Sequence, residues 1–285
     1  MKWYSNCFDS LIHSTVPIEV VAIDNASGDE TVPFIKENYP QIKLIEAGEN
    51  LGFGKANNIG LRYAVEQNAD YVLLLNQDAW VKPDAVEKLI AQMRRSDYGI
   101  LSPLHFSGDE KTLDFGFARY LSAENIDYSQ AEDKVYPIAF VNAAIWLLSR
   151  HCIDTVGGFA PIFPHYGEDF NYTNRCQFHQ QKIGIYPLAI GIHDRKQKIA
   201  KKTSFQQIRR ANFVDNLVVL TNINRSLCGA MFTFPFRSFG YNLKTVGVWK
   251  SILLLFCSKW DVLKSLPTVC KERKMMKKAR RTFLE

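Results

Sequence analysis

The sequence predicts an α/β fold: a doubly wound, mainly parallel sheet with helices on both faces, followed by a helical carboxy-terminal extension. Three observations predict it. Short apolar runs alternate with helical patterns through the first hundred residues, the order that builds strands joined by crossover helices. Acidic residues stand just beyond two of those runs, at Asp24 and Asp78, where the strands of such a sheet meet ligands. Beyond Ser204 the strand signals stop and long helical patterns take over. The expected domain division is therefore 1–205 and 206–285.

Trp3, Cys7 and Leu11 recur every four residues, with Phe8 and Ile12 beside them, and predict a helix over 3–14. Ile18 to Ile23 reads as a buried strand. Glu30 to Asn38 reads as a short helix that admits Pro33 in its first turn. A strand at Ile42–Ile45, a helix over Gly54–Gln67 and an apolar strand at Tyr71–Leu75 follow. Pro83 suits the first turn of the next helix, whose Val86, Leu89, Ile90 and Met93 share one face. Tyr98–Leu101 is a short strand, 105–136 reads as irregular, and Ile138–Leu148 as a strongly apolar strand. A helix over Arg150–Val156, a Gly- and aromatic-rich loop to Tyr166, a helix over Glu168–Gln180 and a strand at Ile183–Ile192 complete the first domain. The segment from Asp194 to Ser204 reads as a basic loop.

The chain has 285 residues and a net charge of +6. Residues 271–281 hold seven Lys and Arg against Glu272 alone, so this segment accounts for the whole excess. Such a tail suits an acidic membrane surface or nucleic acid, but it lacks the aromatic interleaving of a nucleic-acid binder. The six cysteines form no CxxC pair, which argues against a zinc site or a disulfide framework and for a reducing cytosol. Residues 246–260 are rich in Trp, Leu and Val but are interrupted by Lys250 and Lys259. They suit a helix lying in a membrane interface or one packed on the main domain, and not one that spans a bilayer.

Four stretches carry the chemistry. Asp24 and Asn25 follow a strand and can accept from or donate to a nucleotide base or ribose; a helix cap by Ser27 and Asp29 is the competing local reading. Asn50 to Asn58 is a turn whose Gly52 and Gly54 allow a close approach to a ligand or to another element. It has neither GxGxxG nor Walker spacing, and spacing alone favours a helix-entry turn. Asn76 and Asp78 can ligate a divalent cation, although a capping aspartate explains the local pattern as well. Glu168 and Asp169 open a helix, where negative charge is favourable in any case, and one of them can serve as general base. His193 ends a strand beside Arg195 and can complete a metal or phosphate site. Lys196, Lys198, Lys201 and Lys202 can cover a diphosphate or form a solvated face. Together these stretches suggest a nucleoside diphosphate held beside a general base, and hence sugar transfer.

The stretches IDNASGD, ENLGFGKANNIG, LLLNQDAWVKPD, FVNAAIWLLSR and GGFAPIFPHYGEDFNYTNR, in this order and with the strand ending at His193, resemble the family-two inverting glycosyltransferases of GT-A fold, in particular the rhamnosyltransferase-like branch. The resemblance covers about residues 1–205. It implies a nucleoside-diphosphate sugar donor, with rhamnose a candidate sugar, a divalent metal (Mg2+ or Mn2+), and direct displacement with inversion at the anomeric carbon. Carried onto this sequence, the donor-binding set is Asp24, Asn25, Lys55, Asn58, Asn76 and Asp78, with Asp24 on the pyrimidine. Asp78 and His193 hold the metal, Asp169 is the catalytic base, and Glu168 shapes the acceptor pocket.

Asn76 stands where the DxD-like motif has its first aspartate, and Asn171 where many relatives have a second aspartate after the Glu-Asp pair. The family normally opens with a strand and polar turn ahead of the first helix, whereas this chain opens at the helix. The expectation is an amino-terminally shortened form, its sheet missing a central strand. Two readings compete: a transferase acting on a glycan or lipid-linked acceptor, cytoplasmic at the inner face of the cell membrane with a peripheral contact through the carboxy-terminal region, and a catalytically impaired binder of sugar nucleotides or glycans. No nucleic-acid partner is expected.

Overall fold

The structure is a computed structural model that describes residues 2–127, 132–195 and 204–284. Helix α1 (Tyr4–Ile12) precedes β1 (Val21–Asp24), α2 (Thr31–Asn38), β2 (Lys43–Glu46), α3 (Gly52–Glu66) and β3 (Tyr71–Leu75). The chain continues through β4 (Ala79–Val81), α4 (Ala85–Arg94), β5 (Tyr98–Phe106), α5 (Phe115–Ala123), β6 (Tyr136–Pro137) and β7 (Ile145–Ser149). Then come α6 (Arg150–Val156), α7 (Glu168–Phe178) and β8 (Lys182–His193), and the extension α8 (Phe205–Thr221), α9 (Leu227–Arg237), α10 (Phe239–Val246) and α11 (Val248–Met276).

The α/β class and the helical extension agree with the sequence. The larger sheet has the order β3-β7-β5-β8-β4, with β6 also on β8. It is mixed: β5 and β8 run parallel, while β7 is antiparallel to both β3 and β5. Alternation of strand and helix reports direction only where a helix crosses over, and β7 is reached instead through α5 and an extended return. The apolar run from Ile138 supplies a ladder only from Ile145 onward. The stretch read as irregular contains α5, whose amino end is capped by Asp114 accepting from the Phe117 N–H at 2.8 Å. Lys196, Lys198, Lys201 and Lys202 lie outside the described residues.

Strands β1 and β2 form a separate parallel pair. Among the described residues β1 pairs only with β2, and β3 only with β7. Val21, Ala22 and Ile23 are correspondingly only half-buried, as are Tyr71, Val72 and Leu73. Helix α1 closes this region: Phe8 packs with Ile35, Tyr39 and Ile42 under the small sheet, and Leu11 joins the core formed by α4 on one face of the large sheet. The opposite face is covered by Leu61 of α3, Phe117 of α5, Ile153 of α6 and Tyr172 of α7, around a fully buried Trp146.

The loop that leads from α6 toward α7 is fixed by polar groups inside the core. Arg175 is fully buried and donates to the Val156 carbonyl (2.7 Å), the Gly158 carbonyl (2.5 Å) and Asn171 Oδ1 (3.0 Å). Asn58, on α3, donates to the Phe159 carbonyl (2.9 Å) and accepts from the Phe159 N–H (2.7 Å). Gly157 has φ +84°, and a β-carbon there would sit 2.1 Å from the Thr282 carbonyl oxygen, so the end of the chain closes against this loop. Removal of Arg175 leaves two buried carbonyls without donors, each costing about 1–3 kcal/mol. Arg175→Met is therefore expected to lower unfolding free energy by about 3 kcal/mol, read as a lower urea midpoint at unchanged slope.

Candidate active site

Asp78 lies between β3 and β4, in a tight connection where the Ala79 N–H donates to the Asn76 carbonyl at 3.0 Å. The Asp78 carbonyl accepts from the Asp194 N–H at 2.9 Å, so the end of β8 is bound to this turn. That register places Asp78 Oδ1 3.5 Å from His193 Nε2. Burial opposes charge on Asp78. The hydrogen bond and charge of His193 and the charge of Arg195 outweigh it and hold the carboxyl below its ordinary range.

Arg195 grips Asp114 with two hydrogen bonds, Nε to Oδ2 at 2.7 Å and Nη2 to Oδ1 at 2.5 Å. Asp114 Oδ2 is 3.9 Å from His193 Nδ1, which has no hydrogen-bond partner although buried. Asp78, His193, Asp114 and Arg195 thus form a continuous line of polar groups, with His193 between the two carboxylates. The residue read as an irregular-loop aspartate, Asp114, is one of its anchors; an aspartate before an apolar stretch is the N-cap signal that marks it.

Glu168 and Asp169 begin α7 behind Gly167, which has φ +86°. The Phe170 N–H donates to Asp169 Oδ1 at 2.8 Å. Burial raises Asp169 to about 6 against that hydrogen bond. Burial, and then the charge of Asp169, raise Glu168 to about 7, and Glu168 Oε2 is buried without a partner. Tyr120 connects this pair to the first group. Burial raises its phenol, Arg195 opposes, and the charges of Asp169 and Asp114 add to the rise, so it stands within electrostatic reach of all three. Tyr120 also meets Phe140 edge-on at 5.1 Å, and Phe140 stacks on Phe170 at 3.7 Å between ring centres. An aromatic wall, half open to solvent at Phe170, therefore stands directly beside Asp169.

Asp24 ends β1, is buried, and accepts from the Ser27 N–H on both oxygens (3.3 and 3.2 Å). Asn25 binds the neighbouring turn: its Oδ1 accepts from the Leu51 N–H at 2.7 Å and its Nδ2 donates to Asn50 Oδ1 at 3.2 Å. Gly52, with φ +76°, presses on the loop before α7; a β-carbon there would lie 2.3 Å from the Pro164 carbonyl oxygen. Of the two close approaches open to that turn, the one realised is to another element. Tyr4 joins the Asp24 and Asp78 sides, its hydroxyl lying 3.1 Å from Thr31 Oγ1 and donating to Gln77 Oε1 at 3.4 Å. Lys2 and Trp3 donate to Asp194 Oδ2 at 2.7 and 2.6 Å. Tyr4 and the residues before it thus bridge α2 to the turn that carries Asp78 and to Asp194 just beyond β8.

Not every residue of the expected donor set is free to meet a ligand. Asn58 has both ends of its amide engaged by Phe159 and is buried, so it positions the loop instead. Lys55 is exposed on the first turn of α3, and its charge reaches Glu272 of α11. Asn76 is half-buried beside Asp78. Among the described residues no three His, Cys, Asp or Glu side chains converge as a metal site. The Asp78 carboxylate and the His193 imidazole are groups of a type that would hold a divalent ion.

Comparisons with known proteins follow this geometry. The chain resembles the solved structure of S. aureus TarS 1–349 in complex with UDP-GlcNAc, with a TM-score of 0.61 at 13% identity over 99% of this chain and 85% of that one. This likeness carries the GT-A-like fold. The "Low-salt glycan biosynthesis hexosyltransferase Agl10" of Haloferax volcanii is 22% identical over 62% of this chain and 59% of its own length. The "N-acetylglucosaminyl-diphospho-decaprenol L-rhamnosyltransferase" of Mycobacterium tuberculosis is 25% identical over 56% and 61%. The "dTDP-rhamnosyl transferase RfbF" of Shigella flexneri is 30% identical over 32% and 30%. The matched part of the chain thus spans at most about three-fifths of these relatives. The family model for Glycosyl transferase family 2 matches residues 3–156, a stretch that holds Asp24, Asp78 and the strands presenting them. That match takes in more than half of the sequence, and the chain belongs to glycosyl transferase family 2.

Proposed function

We propose that this chain is an inverting glycosyltransferase that moves a sugar, with rhamnose the first candidate, from a nucleoside diphosphate to a hydroxyl of a glycan or lipid-linked acceptor. The observation that carries this reading is the contrast between two electrostatic environments, one at Asp78 and one at Glu168 and Asp169. Asp78 is held ionised beside His193 and Arg195, whereas buried Glu168 and half-buried Asp169 are carboxyls raised toward neutrality. The first suits a diphosphate and its counter-ion; the second suits proton transfer near neutral pH. The likeness to rhamnosyl- and hexosyltransferases supports the choice of sugar class.

Asp24 and Asn25 take the nucleotide base and ribose. Asp78 and His193 hold the divalent ion, which when bound neutralises the leaving diphosphate. Arg195, fixed by Asp114, adds positive charge on the same side. Asp169 removes the acceptor proton as the hydroxyl oxygen bonds to the anomeric carbon from the face opposite the departing diphosphate oxygen. One bond forms as one breaks, and the configuration inverts. The Phe140–Phe170 wall receives the acceptor beside Asp169. The proposed site of action is the cytoplasmic face of the cell membrane, and the proposed organisation is a transferase body over 1–205 with a carboxy-terminal extension over 206–285. The reading as an impaired binder has no specific observation in its favour.

Asp169→Asn is expected to lower kcat by about 10²–10⁴-fold with nucleotide affinity within about twofold, measured by donor turnover and calorimetric titration. Background turnover equal in both proteins defeats the enzymatic reading. In the wild type, kcat/KM is expected to fall about tenfold per pH unit below about 6, as Asp169 takes up its proton.

Glu168 makes a separate stability prediction. Its carboxyl holds a proton more tightly folded, at about 7, than at its ordinary value of 4.5. Its contribution to stability is therefore present below 4.5 and lost as pH rises through about 7. Glu168→Gln is expected to raise Tm by a few degrees at pH 8 and by nothing below pH 4.5, seen by scanning calorimetry. For the metal, Mn2+ is expected to tighten nucleoside-diphosphate binding to the wild type at least fivefold and to leave Asp78→Ala unchanged, since the protein retains one weak ligand in that variant.

A further inference from the structure

The carboxy-terminal helices carry an apolar face turned to solvent as well as one turned inward. Along α11, Trp249, Leu253, Phe256, Trp260 and Leu263 follow one another at intervals of four and three residues, which places them on one face of a helix. All five are exposed, Trp249 by 84% and Phe256 by 64%. Phe232 of α9, 80% exposed, and Tyr241 of α10 also point into solvent. The inward face of the same half of α11 mixes buried Ser251 and Ser258 with buried Leu254 and Val262. Ser258 lines a small cavity with Asn212 and Asn216 of α8 and Asn242 of α10. A helix packed on a water-soluble body turns polar residues outward. The remainder of α11 follows that rule, with Val269 and Met276 buried in the cluster that holds Leu217 and Leu220 of α8. The outward apolar stripe is confined to the stretch around 249–263.

We propose that this outward face seats on the surface of an anionic phospholipid bilayer. Charge selects this occupant over a second copy of the chain. Lys250, Lys259 and Lys264 are exposed and lie three or four residues from members of the stripe. The Lys264 ammonium lies 5.2 Å over the Trp260 ring, an arrangement in which an apolar stem runs beside the aromatic and the charge reaches outward. The acid in this stretch, Asp261, is gripped by Arg209 with hydrogen bonds of 2.8 and 2.6 Å. A second copy meeting this face would set lysines against lysines around the apolar strip, whereas lipid phosphates complement them and tryptophans favour the headgroup level. Among the described residues no helix is long and apolar enough to cross a membrane, so the seat lies along the interface. The surface lies outside the donor and acceptor site, and the inference stands independently of the sugar-transfer reading.

The test is co-sedimentation of the full chain with vesicles of phosphatidylglycerol and phosphatidylcholine, against vesicles of phosphatidylcholine alone, with tryptophan emission followed in parallel. The wild type is expected to bind the anionic vesicles, with a blue shift, and to bind less as salt rises. Leu253→Gln with Phe256→Gln, both on the solvent face, is expected to weaken binding more than tenfold while circular dichroism and nucleoside-diphosphate affinity stay unchanged. Lys250→Gln, Lys259→Gln and Lys264→Gln together are expected to abolish the preference for anionic vesicles. Absence of vesicle binding overturns the proposal. So does undiminished binding by the Leu253 and Phe256 variant, which assigns the contact to the basic residues 271–281. A concentration-dependent dimer lost in that variant also overturns it, in favour of a second copy. Loss of nucleotide binding with vesicle binding intact counts against the transferase reading alone.

Discussion

The geometry of this protein depends on a buried guanidinium that donates its hydrogen bonds to neutral oxygens. Arg175 spends its donors on the carbonyls of Val156 and Gly158 and on Asn171. A charge so placed is tolerable because each of its three nitrogens donates to an oxygen. The result is a fixed turn between α6 and the loop toward α7, held from the other side by Asn58. Because Arg175 itself stands on α7, the clamp ties that helix to the turn before it. The position of Glu168 and Asp169 relative to the sheet follows from this polar core more than from the apolar contacts around it.

The two groups of carboxylates show how environment divides labour among identical side chains. Asp169 and Glu168 stand at the positive end of a helix, which favours their charged forms. Burial nonetheless dominates, and both are raised. Asp78 is also partly buried, yet His193 and Arg195 reverse the balance. The difference lies in the hydrogen bond from His193 and the charge of Arg195, which act on Asp78, whereas at Glu168 and Asp169 burial outweighs the backbone hydrogen bonds. Arg195 is in turn kept in place by Asp114.

Much of this was legible in sequence because it is local. Apolar runs ending in Asp24 and Asp78 marked strand ends, and the paired acids at 168 and 169 marked a helix start. The direction of β7 was not legible, since antiparallel entry depends on the path of a return loop and not on side-chain alternation. Asp114 was missed because its segment carries a weak helical pattern, and its partner Arg195 lies 81 residues away. Asn58 was read as a ligand group because an asparagine in a glycine-rich turn has the same local signature whether it meets a nucleotide or a backbone amide. Only the fold brings Phe159 to it. In α11 the apolar stripe was visible in the sequence, but burial alone distinguishes a face turned inward from one turned out.

The carboxy-terminal extension is not an appendage to the site. Glu272, buried in α11, receives the backbone N–H of Ile162 and feels the charges of Arg175 and Lys55. Arg273, its neighbour, donates to the carbonyls of Leu220 and Asn222 at 2.7 Å each, satisfying the exposed end of α8. Two consecutive charged residues of the basic segment are thus consumed by structure, and a third, Arg281, is paired with Asp154 at 2.7 Å. The basic segment is therefore in part an internal fastening that joins α11 to the loop ahead of Asp169.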